Sequence, residues 1–391
     1  MLCFYIAAPP PPTTTTSTTS STTSTSSTTS TSTSTSTTST TTTITTAALK
    51  SCFLNQTTYS TGSGPYSVTV VDVNNDSKPD IVVPNEYSAT VGILLNKGNG
   101  TFLNQTTYPT GSWPCTLAVV DMNSDNKPDI VVPNYWSYNI GVLLNTGNGT
   151  FLPQTTYSTG TNPTSVAVAD VNGDNKPDIV YSNYNSDGVG VLLNKGNGTF
   201  LNQTTYPTGS ESYSIAVVDV NGDNKPDIIV ANYDLNNVGV LLNKGNGTFL
   251  SQVTYPTGTN PDSVAVVDMN SDNKPDIVVA NGGSNNVGVF LNKGNGTFLN
   301  QITYSTDTNP NSVAVVDVNS DNHPDIVVAN LYSNNVGVFL NKGNGTFLNQ
   351  TTYSTDSGPG SLTVVDVNGD SKPDIVVANR NSNNVRVLFN C

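Results

Sequence analysis

Histidine is almost absent from this chain of 391 residues, where His323 stands alone. A triad built on an imidazole base has a single candidate, and no Cys or His recurs in register to make a zinc site. Basic residues are scarce too: 14 Lys and Arg face 28 Asp and Glu, for a formal charge of -14. That balance argues against nucleic acid and against electrostatic docking on anionic lipid. No apolar run is long enough for a membrane-spanning helix. No glycine-rich loop follows a strand and opens a helix, so nucleotide binding has no support. Glu86 and Glu211 are isolated, and carboxylates gather only inside one recurring motif. No catalytic constellation emerges, and the expectation is a protein that is not an enzyme.

The first 12 residues, MLCFYIAAPPPP, form a short apolar and proline-rich leader. It lacks a charged start and reads as the remnant of a secretion signal or of an anchor. Residues 13–50 are a Thr/Ser-rich segment that cannot bury enough surface to fold. It reads as a disordered mucin-like stalk, with a plain linker as the alternative.

What the chain has in abundance is repetition. Seven copies of one nine-residue motif begin at Asp72, Asp121, Asp170, Asp219, Asp268, Asp317 and Asp366, always 49 residues apart. Short Val-rich runs alternate with Gly, Asn, Asp and Pro clusters, which is strand-and-turn chemistry. In the first cycle strands are expected at 67–71, 81–85, 91–96 and about 102–108, with a KGNG turn at 97–100. Val91, Ile93 and Leu95 share one face, and Gly92 is expected to allow close stacking of sheets. Four strands in 49 residues make a propeller blade. A parallel β-helix uses shorter coils and fits less well.

The ends favour a closed ring. Residues 52–59 match a fourth strand and residues 385–391 a third, so the N-terminal strand should complete the C-terminal blade. The expected fold is all-β: a seven-bladed β-propeller of four-stranded blades over residues 52–391. The 340 residues from Cys52 to Cys391 fall three short of seven periods, the missing three being the tip of a KGNG turn. A Cys52–Cys391 disulfide would replace that turn; two unpaired thiols are the alternative. Cys115 has no partner in this scheme, and Cys3 lies in the leader.

The motif reads DVNNDSKPD at 72–80. Its first, third, fifth and ninth positions offer side-chain oxygens, a donor set suited to calcium rather than zinc or magnesium. The expected ligands are Asp72, Asn74, Asp76 and Asp80; Asp121, Asn123, Asp125 and Asp129; Asp170, Asn172, Asp174 and Asp178; Asp219, Asn221, Asp223 and Asp227; Asp268, Asn270, Asp272 and Asp276; Asp317, Asn319, Asp321 and Asp325; Asp366, Asn368, Asp370 and Asp374. Up to seven calcium ions would bring the formal charge of -14 to zero. An EF-hand is excluded, because its twelfth position would be Val83 in a strand. The seventh position is Lys in six copies and His323 in the other, so His323 is expected to point outward.

This motif, as in DVNGDSKPDIVVAN at 366–379, resembles the FG-GAP repeat of integrin alpha chains and the related VCBS-type repeats. The resemblance covers about residues 52–391. It implies a seven-bladed ring with calcium held between the first and second strands of each blade. The chain lacks a clear Phe-Gly before the first strand and replaces Gly-Ala-Pro by VPN, YSN or VAN, so no integrin-specific partner is implied. Similar repeats occur in lectins and in accessory domains of extracellular enzymes.

Calcium loops and KGNG turns should share one face. The opposite loops vary from blade to blade and carry aromatics early in the ring: Trp113, Trp136, Tyr87, Tyr135, Tyr138 and Tyr213, with Tyr66 and Tyr184. Loop aromatics serve as binding anchors or pack as core. Sequons recur, including Asn55, Asn99, Asn104, Asn148, Asn197, Asn202, Asn246, Asn295, Asn344 and Asn349. The expected protein is extracellular, secreted or displayed at a cell surface, and engages a protein or carbohydrate ligand through the face opposite its calcium loops. A lectin with repeated sugar sites is the alternative.

Overall fold

The computed structural model describes residues 52–391 apart from Asp187 and Ser210. The leader at 1–12, the Thr/Ser segment at 13–50 and the side chain of Asn55 lie outside the described residues. Seven four-stranded antiparallel sheets follow one another as blades. Blade 1 contains Thr69–Val71, Asp80–Asn85, Thr90–Leu94 and Thr106–Pro109, and blade 4 contains Ser212–Val218, Asp227–Asn232, Asn237–Leu241 and Val253–Pro256. Blade 2 adds a small hairpin, Asn145–Gly147 with Thr150–Phe151. Two single-turn 3-10 helices, Tyr135–Ser137 and Arg380–Ser382, occupy the second-to-third connections of blades 2 and 7.

Each second strand is buried along its whole length, which is why its centre reads as a continuous apolar run, as in DIVVPN. The third strand splits its side chains between two neighbours. Val91 and Ile93 face the core shared with blade 2, whereas Leu94 faces the core shared with blade 7.

Two expectations need correction. The outer strand of blade 1 begins at Thr106, not at 102. Phe102 makes only an isolated bridge to Asn96, because its ring turns into the core and packs edge-on against Tyr59 of the neighbouring blade at 5.2 Å. Gly92 does not serve sheet stacking. A Cβ there would collide with Gln105 Nε2, so the missing side chain makes room for the glutamine that leads into the adjacent outer strand.

Blades are joined by links that repeat around the whole ring. Asp80 Oδ2 accepts from the Val73 amide and Oδ1 from the Asn96 amide; Asn96 Nδ2 then donates to Val367 O of blade 7. The same relay runs through Asn145, Asn194, Asn243, Asn292 and Asn341, and ends with Asn390 on Val318 O. An aromatic ring lies outside it. Edge-to-face pairs run from Tyr59–Phe102 to Tyr304–Phe347, and Phe53–Tyr353 completes the circle through the N-terminal strand.

The seam carries its own locks. Phe53–Ser60 pairs antiparallel with Asn384–Asn390, completing blade 7 as expected. Cys52 and Cys391 form a disulfide across a sequence separation of 339. The chain has two arginines, and both bind across this seam. Arg386 stands where other blades have the Gly92-type glycine; it donates to Gln56 and Thr58 of the N-terminal strand and to Asp356. Arg380 grips Glu86 of blade 1 with two bonds of 2.6 and 2.7 Å. Closing so long a loop stabilises a fold by about 3–5 kcal/mol in the chain-entropy account. Replacing Cys52 and Cys391 with Ser should therefore lower the melting temperature by several degrees while leaving the ring folded. An unchanged melting temperature contradicts the disulfide's role as the clasp.

Candidate functional site

The aspartate loops fold around their first residue. Asp72 Oδ1 accepts the amides of Asn74, Asn75 and Asp76, and Oδ2 accepts that of Ser77. Asn75 and Ser77 take left-handed backbone, with φ of 63° and 65°, which explains why Gly, Asn and Ser recur at these positions. The seventh-position lysine folds back, as Lys78 Nζ lies 3.5 Å from Asp76 Oδ2. Its stem passes over Gly98 of the KGNG turn, so loop and turn share one face. His323 takes the same course over Gly343. These exposed ion pairs contribute little to stability.

In kind, the donors fit calcium: a half-buried and an exposed carboxylate, an amide oxygen and a fully buried carboxylate. Burial pushes the Asp80 carboxyl up to about 6 against the lowering effect of its two amide donors, and Asp76 and Asp72 add to the rise. A cation would relieve that burden. Each oxygen of Asp80 already holds one amide, and among the described residues no three acidic, His or Cys side chains converge on a metal position. Asp72, Asn74, Asp76 and Asp80 are the residues that would hold an ion, supplying charge neutralisation and loop rigidity.

The raised values give a pH prediction. An unfolded aspartate titrates near 3.8, whereas Asp80 in the fold titrates near 6, as do Asp129, Asp178, Asp227, Asp276 and Asp374. The folded form holds more protons between those values, so its calcium-free stability is greatest at the acidic end and declines as pH rises through about 6. In chelator, the melting temperature should be higher at pH about 5 than at pH about 7, and added calcium should raise it more at the higher pH. A chelated protein that only loses stability between neutral pH and that acidic end contradicts this.

The opposite face is where the blades cease to be alike. At one register the seven blades read Tyr66, Cys115, Thr164, Tyr213, Asp262, Asn311 and Gly360. At a second they read Glu86, Tyr135, Tyr184, Tyr233, Gly282, Leu331 and Arg380. The two loops that carry them are tied together, with Glu86 N on Gly64 O and Tyr87 N on Ser63 O. Tyr66 and Tyr213 stretch from blades 1 and 4 to bring their hydroxyls within 3.2 Å. Beside this bridge lies a cavity of about 260 Å³, lined by Tyr66, Glu86, Trp113, Cys115, Tyr135, Trp136, Thr164, Tyr184, Tyr213 and Arg380.

Most of the aromatics singled out in the sequence meet here. Trp113, Trp136, Tyr135 and Tyr213 line the cavity, and Trp136 is 47% exposed rather than sealed between blades. Tyr87, 57% exposed, stands at the rim with its ring edge-on to Trp113 at 5.6 Å. Tyr138 is 44% exposed and does not line the cavity. The residues that sequence reading passed over are Glu86, Arg380, Cys115 and Thr164. Glu86 is not isolated, since Arg380 holds it from 294 residues away. Burial raises its carboxyl to about 7, although the guanidinium opposes the rise. Burial also holds the Cys115 thiol well above its ordinary range, which makes it a poor nucleophile. The available signal was rarity: both tryptophans, both glutamates and the one free cysteine of the described residues cluster at this mouth.

A second kind of hollow lies at the periphery. One groove of about 600 Å³ is lined by Thr58, Tyr59, Ser60, Thr61, Leu94, Leu103, Asn104 and Gln105. Another, of about 410 Å³, is lined by Thr156, Tyr157, Ser158, Leu192, Phe200, Leu201, Asn202 and Gln203, all but Phe200 at the same positions two repeats on.

An FG-GAP-like repeat model matches residues 72–132, 134–181, 170–230, 219–279, 268–328 and 317–377. The chain belongs to the FG-GAP-like repeat family, and its repeats form a seven-bladed β-propeller. No curated protein matches it. Among solved structures it is similar to an Agrocybe aegerita lectin described as specific for non-reducing terminal N-acetylglucosamine. That match has 22% identity and a TM-score of 0.56, over 81% of this chain and 86% of the lectin. It is also similar to virginiamycin B lyase from Staphylococcus aureus, with 14% identity and a TM-score of 0.60, over 86% of this chain and 99% of the lyase. BBS1N, solved in complex with ARL6DN, has 13% identity and a TM-score of 0.59, over 86% of this chain and 96% of that one. At these identities the likeness is one of fold.

Proposed function

We propose that this protein is an extracellular, calcium-binding recognition module whose ligand, a protein or a glycan, binds the aromatic cavity on the face opposite the aspartate loops. One observation carries the reading. In a chain of near-identical repeats, ten residues at positions where the blades differ line a single cavity. Seven equal blades would offer a partner seven equal surfaces; this mouth offers one. Its aromatics supply contact area at low ordering cost. Up to seven calcium ions, on the donor sets named above, stiffen the far ends of the blades and so hold these loops in place. A binding role suits the site better than catalysis, since its one thiol is held protonated and the glutamate that lines it is held by arginine.

Export is supported by the disulfide, which persists in oxidising compartments. In this reading residues 1–12 are a signal remnant, residues 13–50 a glycosylated stalk and residues 52–391 the displayed propeller. Exposed sequon asparagines such as Asn99 and Asn104 would carry glycans. A lectin with repeated sugar sites is the second reading, and the peripheral grooves favour it: two equivalent hollows combine Tyr, Leu, Asn and Gln side chains. An accessory domain of an extracellular enzyme is the third.

Glycan-array and cell-surface binding of the secreted protein separates these readings. A Trp113→Ala plus Trp136→Ala variant should keep its calcium-bound melting temperature and lose most binding. Full binding by that folded variant, with loss on changing Gln105 and Gln203, would move the site to the grooves.

A further inference from the structure

We propose that the group received by the aromatic cavity is an organic cation of the quaternary ammonium class. This rests on the reading that the cavity is the ligand site, and it adds the chemistry of what enters.

The cavity wall is a continuous arc of rings. Tyr87 meets Trp113 at 5.6 Å, Trp113 meets Trp136 at 5.8 Å, and Trp136 meets Tyr135 at 4.8 Å. The arc runs on through Tyr184 and Tyr213 to Tyr233, with centroid spacings of 6.3, 5.9 and 5.1 Å. Aromatic faces carry negative potential, and a cation within about 6 Å of a centroid is attracted to them. Trp113 and Trp136 are inclined at 73° to each other and Trp136 and Tyr135 at 89°, so these rings form corners in which one cation can lie near two faces.

The chain already uses one end of this arc in that way. The Arg380 guanidinium sits 5.1 Å from the Tyr66 centroid and 5.4 Å from that of Tyr87. Among the described residues, no lysine or arginine other than Arg380 lines the cavity. Arg380 itself is neutralised by its two bonds to Glu86. At the other end of the arc Glu211 and Asp234 stand close to Tyr184, and one buried oxygen of Glu211 has no hydrogen-bond partner among the described residues. An anion would meet rings and carboxylates, and its one possible partner is already paired. A neutral sugar would gain nothing from the charge distribution.

Size and hydration narrow the class further. At about 260 Å³ the cavity is smaller than the sites that take drug-sized ligands, roughly 300–1,000 Å³. It suits one compact group. Its acceptors are Thr164, the tyrosine hydroxyls and Glu86, and both oxygens of Glu86 are already bonded to Arg380. A primary ammonium would lose water without replacement hydrogen bonds, whereas a methylated ammonium has little such water to lose.

The two tryptophans, Trp113 and Trp136, are the only ones in the chain, so tryptophan emission, excited selectively over tyrosine, reports on this cavity alone. Choline chloride should produce a saturable change in that emission that equal concentrations of sodium chloride do not. Trp136→Leu should weaken the response about ten-fold, and Trp136→Phe should restore most of it. Trp113 remains as reporter in both, and near-wild-type melting temperatures verify their folding. Phosphocholine and trimethyl-lysine, titrated in parallel, distinguish a headgroup source from a modified peptide by which binds tighter than choline. Choline acting no differently from sodium chloride overturns the proposal. If N-acetylglucosamine saturates the signal while choline does not, the cation assignment falls and the cavity stands as the site. If the double tryptophan variant binds its cell-surface partner normally, the site reading falls with it.

Discussion

A carboxylate buried at the start of each second strand holds the ring together. Taking Asp80 out of water is costly unless its oxygens are satisfied, and two backbone amides from different parts of the blade do this. One comes from the aspartate loop and the other from the end of the third strand, so the carboxylate fixes both ends of the blade at once. The asparagine that supplies the second amide passes the constraint outward, because its side chain donates to the preceding blade. Seven such relays close on themselves, and each blade is positioned by its neighbours rather than by a central core.

A frame of that kind leaves the other face free to vary. The relay, the edge-to-face aromatic pairs and the buried second strands use the same residues in every blade, so the fold makes few demands on the loops at the far end. There the sequence departs from its own repeat, and the departures are complementary. Glu86 of the first blade meets Arg380 of the last, and Tyr66 meets Tyr213. The pair between the first and last blades also fixes where the circle closes, alongside the disulfide and Arg386. Closure and the proposed recognition site therefore share a side chain, Arg380, which both locks the seam and stacks on the rings that begin the aromatic arc.

Much of this was legible in the sequence because it is periodic. The 49-residue spacing specifies blades, the alternation of Val91, Ile93 and Leu95 specifies a strand with two faces, and the registers of Cys52 and Cys391 specify closure. What was not legible depends on contacts between distant residues. Gly92 looks like a stacking glycine until Gln105 is seen filling its space. Phe102 looks like the start of a strand, since nothing local says that its ring turns toward another blade. Asp80 resembles its companions in the motif, yet it alone is fully buried and amide-bonded across strands. Glu86 and Arg380 are 294 residues apart, and no pattern within one repeat couples them.

Amide hydrogen exchange on the folded protein, with and without calcium, tests the relay most directly. The Asn96 amide and its counterparts at Asn145, Asn194, Asn243, Asn292, Asn341 and Asn390 donate to the buried carboxylates. If those carboxylates hold the blades in register, these amides should exchange only through global unfolding, in both conditions, and more slowly than the outer-strand amides of Thr106–Pro109. Exchange as fast as that of the outer strands in calcium-free protein would contradict the account and make the ring dependent on its ions.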